Sequence, residues 1–427
     1  AGSPNDERRR AVTEVGGLPF APDPEALGFD KAGLARLDAW MADMVGAGQA
    51  AGVSTLLLRH GQVVDFRTWG RARLDDEAPL ARDAIFRIYS MTKPVTGAAL
   101  MILFEEGRWR LDDPVTKFVP EFSDLKVYAG VDADGAMIIE DMLRPPTMRE
   151  LMSHTAGFGY GLFDVHPVER AYREQGVLQA ESLDDLVRRA ARIPLMFQPG
   201  TEWFYSIATD IQGLIVERLS GQTFGTFLQE RIFGPLGMVD TGFQTRPDNV
   251  HRLAAIYADD GAGGLKMATD AFDLPLNDFT QAPPFEGGGG GLVSTAADYA
   301  RFCQMILNRG ELDGVRILTP GSVDLMGQNA IPDAVLARVN PLRLLPFNPA
   351  LGFGLDFAVV IDPAALGLVE GRGTLSWGGG GGTWFWIDPE NDLIFIGLIQ
   401  RLADPVGNAF RAQARALVYA ALTHPEK

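Results

Sequence analysis

An antiparallel sheet flanked by helices, an α/β fold of the α+β type, is what this sequence predicts. Strand patterns lie near both ends of the chain, whereas helical patterns dominate the long middle. At 427 residues the chain is long enough for several domains and a large core. The simplest assembly joins both chain ends in one sheet and inserts a mainly helical domain between them.

The amino-terminal strands are predicted within 52–70, as a β-hairpin. Residues 53–58 form an apolar run, His60-Gly61 supplies turn residues, and residues 63–69 are again rich in β-branched and aromatic side chains. Because so short a connection joins antiparallel neighbours, we expect the two strands to pair with each other.

The carboxyl end supplies two further strands and a closing helix. Residues 383–387 and 393–399 are apolar and are separated by a turn of acidic residues, proline and asparagine at 388–392. A helix is predicted over about 406–422. Its apolar residues fall on one face: Phe410, Ala414, Leu417 and Ala421.

Helical patterns occur in the middle of the chain, among them 183–192 and 207–220. Segments 259–291 and 329–350 are rich in glycine, proline and asparagine, which predicts long loops over the surface or the mouth of a pocket.

These patterns divide the chain into domains. We expect a sheet domain formed by 29–125 together with 290–427, and a mainly helical inserted domain at 126–289. Residues 1–28 are predicted to be an amino-terminal extension.

Composition excludes several classes of function. The apolar fraction of 46% and charged fraction of 22% are ordinary for a globular enzyme, and there is no apolar run of membrane-spanning length. A formal charge of −17 disfavours nucleic acid as a partner, because the phosphates would be repelled. Oligomeric state is not predicted.

The amino-terminal segment and the single cysteine bear on location. Residues 1–17 are polar and lack the apolar centre of a signal peptide, which favours the cytoplasm. A periplasmic location stays open if an export signal has been removed. Cys303 is the sole cysteine, so no internal disulfide can form, and its helical apolar surroundings predict a core residue.

No cofactor or metal is predicted. The glycine runs at 287–291 and 378–382 lack both the ending of a P-loop and the spacing of a dinucleotide-binding motif. The five histidines are scattered without the short spacings of metal ligands.

The most informative motif is Ser90-x-x-Lys93, which precedes an apolar helix pattern over 95–104. Three residues apart on a helix, a hydroxyl and an amine lie on one face within reach of each other. A serine becomes a good nucleophile when a neighbouring base takes its proton, and a desolvated lysine can be that base. The alternative is a helix-capping serine beside a solvated lysine. A second match, Ser123 to Lys126, has no apolar helix behind it, so we interpret Ser123 as a loop residue.

Such a pair needs a third group to pass a proton to the leaving atom. Tyr205 follows the turn residues 198–201 and opens the predicted helix 207–220. A phenol held beside cations ionises more easily, and its oxygen can then act as base and later as acid. A core or helix-capping tyrosine is the structural alternative.

The segment Trp377-Gly378-Gly379-Gly380 follows a predicted strand. Glycines let a backbone N–H approach a developing oxyanion closely, and the N–H of Ser90 is the natural second donor. A glycine-rich turn between strands is the alternative.

Together, these motifs resemble those of the family VIII carboxylesterases, relatives of class C β-lactamases, DD-peptidases and the penicillin-binding fold. The order Ser90-x-x-Lys93, Tyr205, Trp377 carries the resemblance, which spans about residues 30 to 425. The segment 151–157 resembles the Leu-Leu-x-His-Thr-Ser-Gly segment of that superfamily.

The resemblance implies a β-lactamase/transpeptidase-like fold and a role for each motif residue. It implies that Ser90 is the acylated nucleophile, Lys93 its proton partner and Tyr205 the general base and acid. The N–H groups of Ser90 and Gly380 would form the oxyanion hole. The residues expected to line the substrate pocket are Tyr160, Ile207, Trp377, Gly378 and Gly379.

Two departures from the β-lactamase pattern bear on substrate class. Ile207 stands where the second motif of those enzymes ends in asparagine, and Trp377 stands where the third motif begins with lysine. A lysine there helps to receive the carboxylate of β-lactams, whereas an indole offers one neutral donor and an apolar face.

The sequence therefore predicts a serine carboxylesterase for small, uncharged, short-chain acyl esters. Weak cephalosporin hydrolysis is a hypothesis beside that activity, because a strained β-lactam could also acylate the serine. The alternatives are a β-lactamase or DD-peptidase, or an acyltransferase on the same fold.

Overall fold

Strands from both chain ends form one antiparallel sheet. A computed structural model describes residues 14–338, 347–402 and 405–427. The seven strands of its main sheet, numbered in chain order, are β1 (Gly52–Arg59), β2 (Gln62–Gly70), β3 (Leu351–Phe353), β4 (Ala358–Val360), β5 (Leu375–Gly378), β6 (Trp384–Asp388) and β7 (Leu393–Leu398). Their spatial order is β3-β4-β5-β6-β7-β1-β2, and every neighbouring pair is antiparallel.

The pairing of β7 with β1 joins the two ends of the chain. Ile396 lies opposite Leu56, and Ile394 lies opposite Leu58. Successive residues on a strand point to opposite faces, so Leu56 and Leu57 enter two different apolar clusters. The sheet is therefore buried on both faces.

The long helices cover these two faces. In chain order they are α1 (Lys31–Gly46), α2 (Thr92–Glu105), α3 (Ala208–Ser220), α4 (Ala296–Leu307) and α5 (Pro405–Ala421). One cluster contains apolar residues of α1 and α5, and the other contains those of α2, α3 and α4. The second cluster is the larger and continues into the middle of the chain.

The remaining elements are short. The helical segments are Pro24–Leu27, Tyr89–Met91, Val115–Lys117, Pro120–Phe122, Met148–Met152, Pro167–Glu174, Val177–Gln179, Leu183–Ala190, Phe224–Leu228, Gln229–Phe233, Gly234–Leu236, Pro247–Arg252, Pro320–Met326, Asp333–Leu336 and Pro363–Leu366. The paired short strands are Glu14–Val15 with Leu18–Pro19, Phe86–Arg87 with Val293–Ser294, Lys126–Val131 with Met137–Asp141, Tyr257–Asp259 with Leu265–Met267, Asp270–Ala271 with Leu274–Pro275, and Glu311–Leu312 with Val315–Arg316.

The predicted fold class is confirmed, and the predicted strands and helices lie within a residue or two of their expected positions. The segment 259–291 differs from a plain loop, because it contains short paired strands. Of the other expectations, residues 1–13 of the extension and residues 339–346 of the second loop lie outside the described residues. The division at 126 and 289 stays a prediction. Within the described residues, no helix is long and apolar enough to cross a bilayer.

A buried arginine fastens the two chain ends beside the sheet. Arg59, at the end of β1, is only 2% exposed. Its guanidinium donates to the carbonyls of Leu27 at 2.8 Å, Asn391 at 3.0 Å and Pro425 at 2.6 Å. Three distant segments therefore share one charged donor.

Arg59→Ala should lower the free energy of unfolding by about 2 to 4 kcal/mol, because three carbonyls lose a charged donor at once. Urea denaturation followed by circular dichroism measures the change. Arg36→Ala, at an exposed position of α1, is the control and should leave the midpoint nearly unchanged. Equal midpoints for the two variants would contradict the role of Arg59.

Candidate active site

Ser90 lies in the short helical turn Tyr89–Met91, immediately before α2. Tyr89 has a φ of +42°, a left-handed conformation that is unusual for an aromatic residue and is commonest where local strain serves a site. The following helix α2 is buried almost throughout, so its first turn is a rigid base for the serine.

Lys93, in the first turn of α2, is fully buried. Its Nζ donates to Ser90 Oγ at 3.2 Å, to the Tyr160 hydroxyl at 2.8 Å and to the Gly289 carbonyl at 2.6 Å. An ammonium group has three donors, and all three have acceptors here. The predicted pair of Ser90 and Lys93 is thus in contact, and its surroundings suit a charged lysine.

The electrostatics of Lys93 point the same way. Burial opposes its charge, but the phenols of Tyr160 and Tyr205 outweigh burial and raise the pKa of Lys93 above its ordinary value. The sequence suggested a desolvated lysine as the base. The structure instead favours a lysine that keeps its proton and acts as a cation beside the nucleophile.

Tyr205 meets the same serine from another part of the chain. Its hydroxyl donates to Ser90 Oγ at 2.7 Å and accepts from the indole N–H of Trp377 at 3.2 Å. The Nζ of Lys93 lies 4.5 Å from the centre of the Tyr205 ring. The phenol oxygen is therefore placed to exchange a proton with Ser90 beside a positive charge.

The end of β5 brings the glycine segment to the serine. A Cβ on Gly379 would lie 2.3 Å from the Ile88 carbonyl oxygen, so only glycine permits this approach to the turn before Ser90. Gly380 follows and lines the cavity. Within the described chain, its N–H donates to no carbonyl, which leaves it available to an oxyanion.

Tyr160 is held by a buried carboxylate. Glu169 accepts hydrogen bonds from the backbone N–H groups of Tyr160, of Gly161 at 2.8 Å and of Phe163 at 3.0 Å. Burial raises the pKa of Glu169, while these N–H groups stabilise its charged form. The acid thereby fixes the loop that presents the Tyr160 hydroxyl to Lys93.

A second buried carboxylate holds the acceptor loop of Lys93. Asp210, on α3, accepts from the Gly289 N–H at 3.0 Å, while the Gly289 carbonyl accepts from Lys93. Burial raises the pKa of Asp210, and the charge of Lys93 lowers it. A single glycine residue therefore lies between an acid and the buried ammonium.

These residues open onto a cavity of about 710 Å³. Ser90, Tyr160, Tyr205 and Trp377 line it together with Gly378, Gly379 and Gly380. The other wall residues are mostly aliphatic or aromatic, as in sites for apolar ligands.

Two predicted positions lie away from the cavity. Ile207 is fully buried in the apolar core, where its N–H donates to Gly159 at 3.0 Å, and it is not among the lining residues. In the second Ser-x-x-Lys match, Ser123 donates to the Pro120 carbonyl and Lys126 pairs with Asp141, both at exposed positions.

The family model of β-lactamases matches residues 37–420, which is most of the chain. The chain belongs to the β-lactamase family. The matched range includes Ser90, Lys93, Tyr205 and Trp377.

Relatives within this family are similar over most of their length. Protein Rv1367c of Mycobacterium tuberculosis (strain ATCC 25618 / H37Rv) is 38% identical over 84% of this chain and 88% of its own. Esterase EstB of Burkholderia gladioli is 31% identical over 93% of this chain and 98% of its own. The structure of EstCE1, described as a hydrolase with promiscuous acyltransferase activity, has a TM-score of 0.76 at 27% identity and covers 91% of this chain and 99% of its own.

Sequence reasoning missed several residues of this β-lactamase-family site. Glu169 and Asp210 are single acids without a motif, and their partners are backbone groups that no pattern reveals. Gly289 lies in a glycine run that was predicted to be part of a loop at the surface or the pocket mouth, with no contact to Lys93 foreseen. A Cβ at position 289 would lie only 2.8 Å from Asp210 Oδ2, which explains why a glycine is needed there.

Asp210→Asn should lower kcat by about tenfold or more with a smaller change in KM, because the carboxylate that holds Gly289 and faces Lys93 is lost. In the wild type, acid protonates Asp210 as the pH falls through its raised pKa. The acidic limb of the kcat profile should therefore be flatter in the variant, which has no proton to gain there.

Steady-state ester hydrolysis across pH measures both effects. The control is Asp248→Asn, at an exposed carboxylate. An unchanged kcat and an unchanged acidic limb in Asp210→Asn would show that the acid does not support the lysine.

Proposed function

We propose that this protein is a serine carboxylesterase that hydrolyses small, uncharged, short-chain acyl esters through an acyl-enzyme on Ser90. One observation carries the proposal: Ser90 Oγ is hydrogen-bonded both to Lys93 Nζ at 3.2 Å and to the Tyr205 hydroxyl at 2.7 Å. A binding protein needs no such proton-transfer arrangement. The similarity to Esterase EstB and to the hydrolase EstCE1 supports the same chemistry.

The first step requires the phenolate form of Tyr205: as Ser90 Oγ attacks the ester carbonyl carbon, the proton of Ser90 passes to that phenolate oxygen. The N–H groups of Ser90 and Gly380 stabilise the negative carbonyl oxygen of the tetrahedral intermediate. The bond to the alcohol then breaks, and the alcohol leaves with the proton from Tyr205. The charge of Lys93 stabilises the phenolate that remains.

The second step repeats this proton transfer with water. Water gives a proton to Tyr205 as its oxygen attacks the acyl carbonyl carbon, and the same N–H groups receive the oxyanion. The bond between Ser90 and the acyl group breaks, and Ser90 Oγ regains its proton from Tyr205 as the acid departs. The catalyst therefore returns to its starting state.

The substrate class follows from Trp377. Its indole N–H is used by the Tyr205 hydroxyl, and its ring forms an apolar wall where a cationic side chain would receive a carboxylate. The mostly apolar cavity likewise suits an uncharged ester. We therefore place short, neutral acyl esters ahead of anionic amides.

Arg411 favours a second, weaker activity on β-lactams. Its guanidinium lies at the cavity wall beside Gly378 and donates to Ser376 Oγ at 3.1 Å. Burial lowers the pKa of Arg411 to about 10, so it is a cation at neutral pH. A cephalosporin carboxylate could meet this charge in place of the usual lysine.

Acyl transfer to an alcohol is the remaining alternative. In that reaction an alcohol replaces water in the second step and takes the acyl group from Ser90. The acyltransferase activity named for EstCE1 favours including it.

Ser90→Ala, Lys93→Ala and Tyr205→Phe should each lower kcat for p-nitrophenyl butyrate by several orders of magnitude, because the three groups act as a unit. Ser123→Ala, at the other Ser-x-x-Lys match, is the matched control and should keep full activity. Substantial activity in Lys93→Ala or Tyr205→Phe would refute the role of that residue.

A substrate panel tests the proposed class: p-nitrophenyl esters from acetate to dodecanoate, nitrocefin, and an acyl-D-Ala-D-Ala peptide. Short neutral esters should give the highest kcat/KM, with nitrocefin turned over slowly or not at all, since the site lacks the lysine of the third motif. Mass spectrometry detects any drug adduct on Ser90. Cleavage of the peptide alone would reverse this order. The absence of both nitrocefin turnover and an adduct on Ser90 would dismiss the β-lactam activity.

A further inference from the structure

A strained aromatic residue sits at the tip of the hairpin Asp270–Ala271 and Leu274–Pro275. Phe272 and Asp273 form its two-residue turn, with φ of +52° and +61°. A type I′ turn has positive φ at both central residues, and asparagine and glycine are preferred there. A phenylalanine in the left-handed region is conformationally unfavourable, so the presence of its side chain at this position needs an explanation.

The ring of Phe272 lies over the predicted oxyanion hole. Its Cε2 is 3.8 Å from the position that a Cβ on Gly380 would occupy. Its centre is 6.0 Å from that of Phe163, with the two planes at 80°. Both phenylalanines line the cavity, so this edge-to-face pair forms part of its wall, with Phe272 beside Gly380.

Phe163 is a fixed partner in this pair. Glu169 binds the N–H groups of the loop that contains it, as described above. On the same helix, Arg173 donates to the carbonyls of Gly161 at 3.0 Å and Leu162 at 2.8 Å. Both the N–H groups and the carbonyls of the loop are thus anchored to one helix, which fixes the backbone position of Phe163.

The hairpin tip is aimed at this loop by an ion pair. Arg173 Nη1 lies 3.3 Å from Asp273 Oδ2, and the Asp273 side chain is 87% exposed. So exposed an ion pair contributes little to stability, because water screens it. The pair orients the turn, whereas the Phe272 ring supplies the bulk at the cavity wall.

The chemistry assigns the group that would meet this ring. The leaving alcohol must face the Tyr205 hydroxyl, which contacts Ser90 and Trp377. Among the described residues, the ring of Phe272 pairs with that of Phe163 rather than with Tyr205 or Trp377, and it lies beside Gly380. What extends toward Phe272 is then the acyl chain of the ester.

We propose that Phe272, seated against Phe163, is a specificity-determining residue that limits the length of the acyl chain. This inference rests on the proposed esterase function. Phe272 takes no part in bond making. Truncating its side chain should therefore change the preference for acyl-chain length and leave the hydrolysis of a short ester unchanged. Enlarging it should have the opposite effect on long esters.

The test compares Phe272→Ala and Phe272→Trp with the wild type on p-nitrophenyl esters of increasing acyl length. Met267→Ala, at an exposed position of the neighbouring strand, is the control. We expect the ratio of kcat/KM for decanoate to that for butyrate to rise about tenfold in the alanine variant. The ratio should fall in the tryptophan variant, and Asp273→Asn and Met267→Ala should each change it by less than about twofold.

A second series of acetate esters, with alcohols of increasing length, tests whether Phe272 contacts the acyl part or the alcohol part of the substrate. A change confined to the alcohol series overturns the inference, as does an unchanged decanoate ratio in both Phe272 variants. Thermal melting by circular dichroism checks the fold, and the tryptophan variant decides alone if the alanine variant unfolds. If the wild type cleaves no ester in a Ser90-dependent way, the proposed function and this inference fall together; activity with a flat ratio overturns the inference alone.

Discussion

The ammonium of Lys93 is the constraint on which the site depends. Burying a charged group costs desolvation free energy. A buried ammonium is therefore stable only if each of its N–H donors has a hydrogen-bond acceptor. Here the acceptors are a hydroxyl, a phenol and a carbonyl, from Ser90, Tyr160 and Gly289. Only the first is close in sequence, so the two remaining segments must fold against α2 before the lysine can be buried in charged form.

The same constraint explains the chemistry. With Lys93 already a cation, the proton acceptor for Ser90 is the Tyr205 oxygen, which lies between the serine and the indole of Trp377. Trp377 adds a donor without adding charge. The indole therefore leaves the charge of Lys93 beside the nucleophile and brings no cation of its own to the place where a third-motif lysine would bind an anion. This arrangement suits an ester whose only developing charge is on its carbonyl oxygen.

The fold was predictable where one pattern dominated a segment. The short runs rich in apolar and β-branched residues at 52–70 and 383–399 are bounded by turn residues, which favours strands over helix, and the helix 207–220 has its own periodicity. The paired strands within 259–291 were not predictable. The turn between two of them consists of Phe272 and Asp273, both in left-handed conformations that local propensity disfavours. In the fold, the Phe272 ring contacts Phe163.

The sequence by itself determined which residues are chemically able to act, because Ser90 and Lys93 share one helical turn and need no distant partner to be recognised. Only the tertiary structure decided that Lys93 remains charged and that Asp210 holds its acceptor, since both depend on desolvation and on backbone groups from separate elements. It likewise moved Ile207 from the expected pocket wall into the core. Side-chain identity is local, whereas burial and the field around a charge belong to the whole fold.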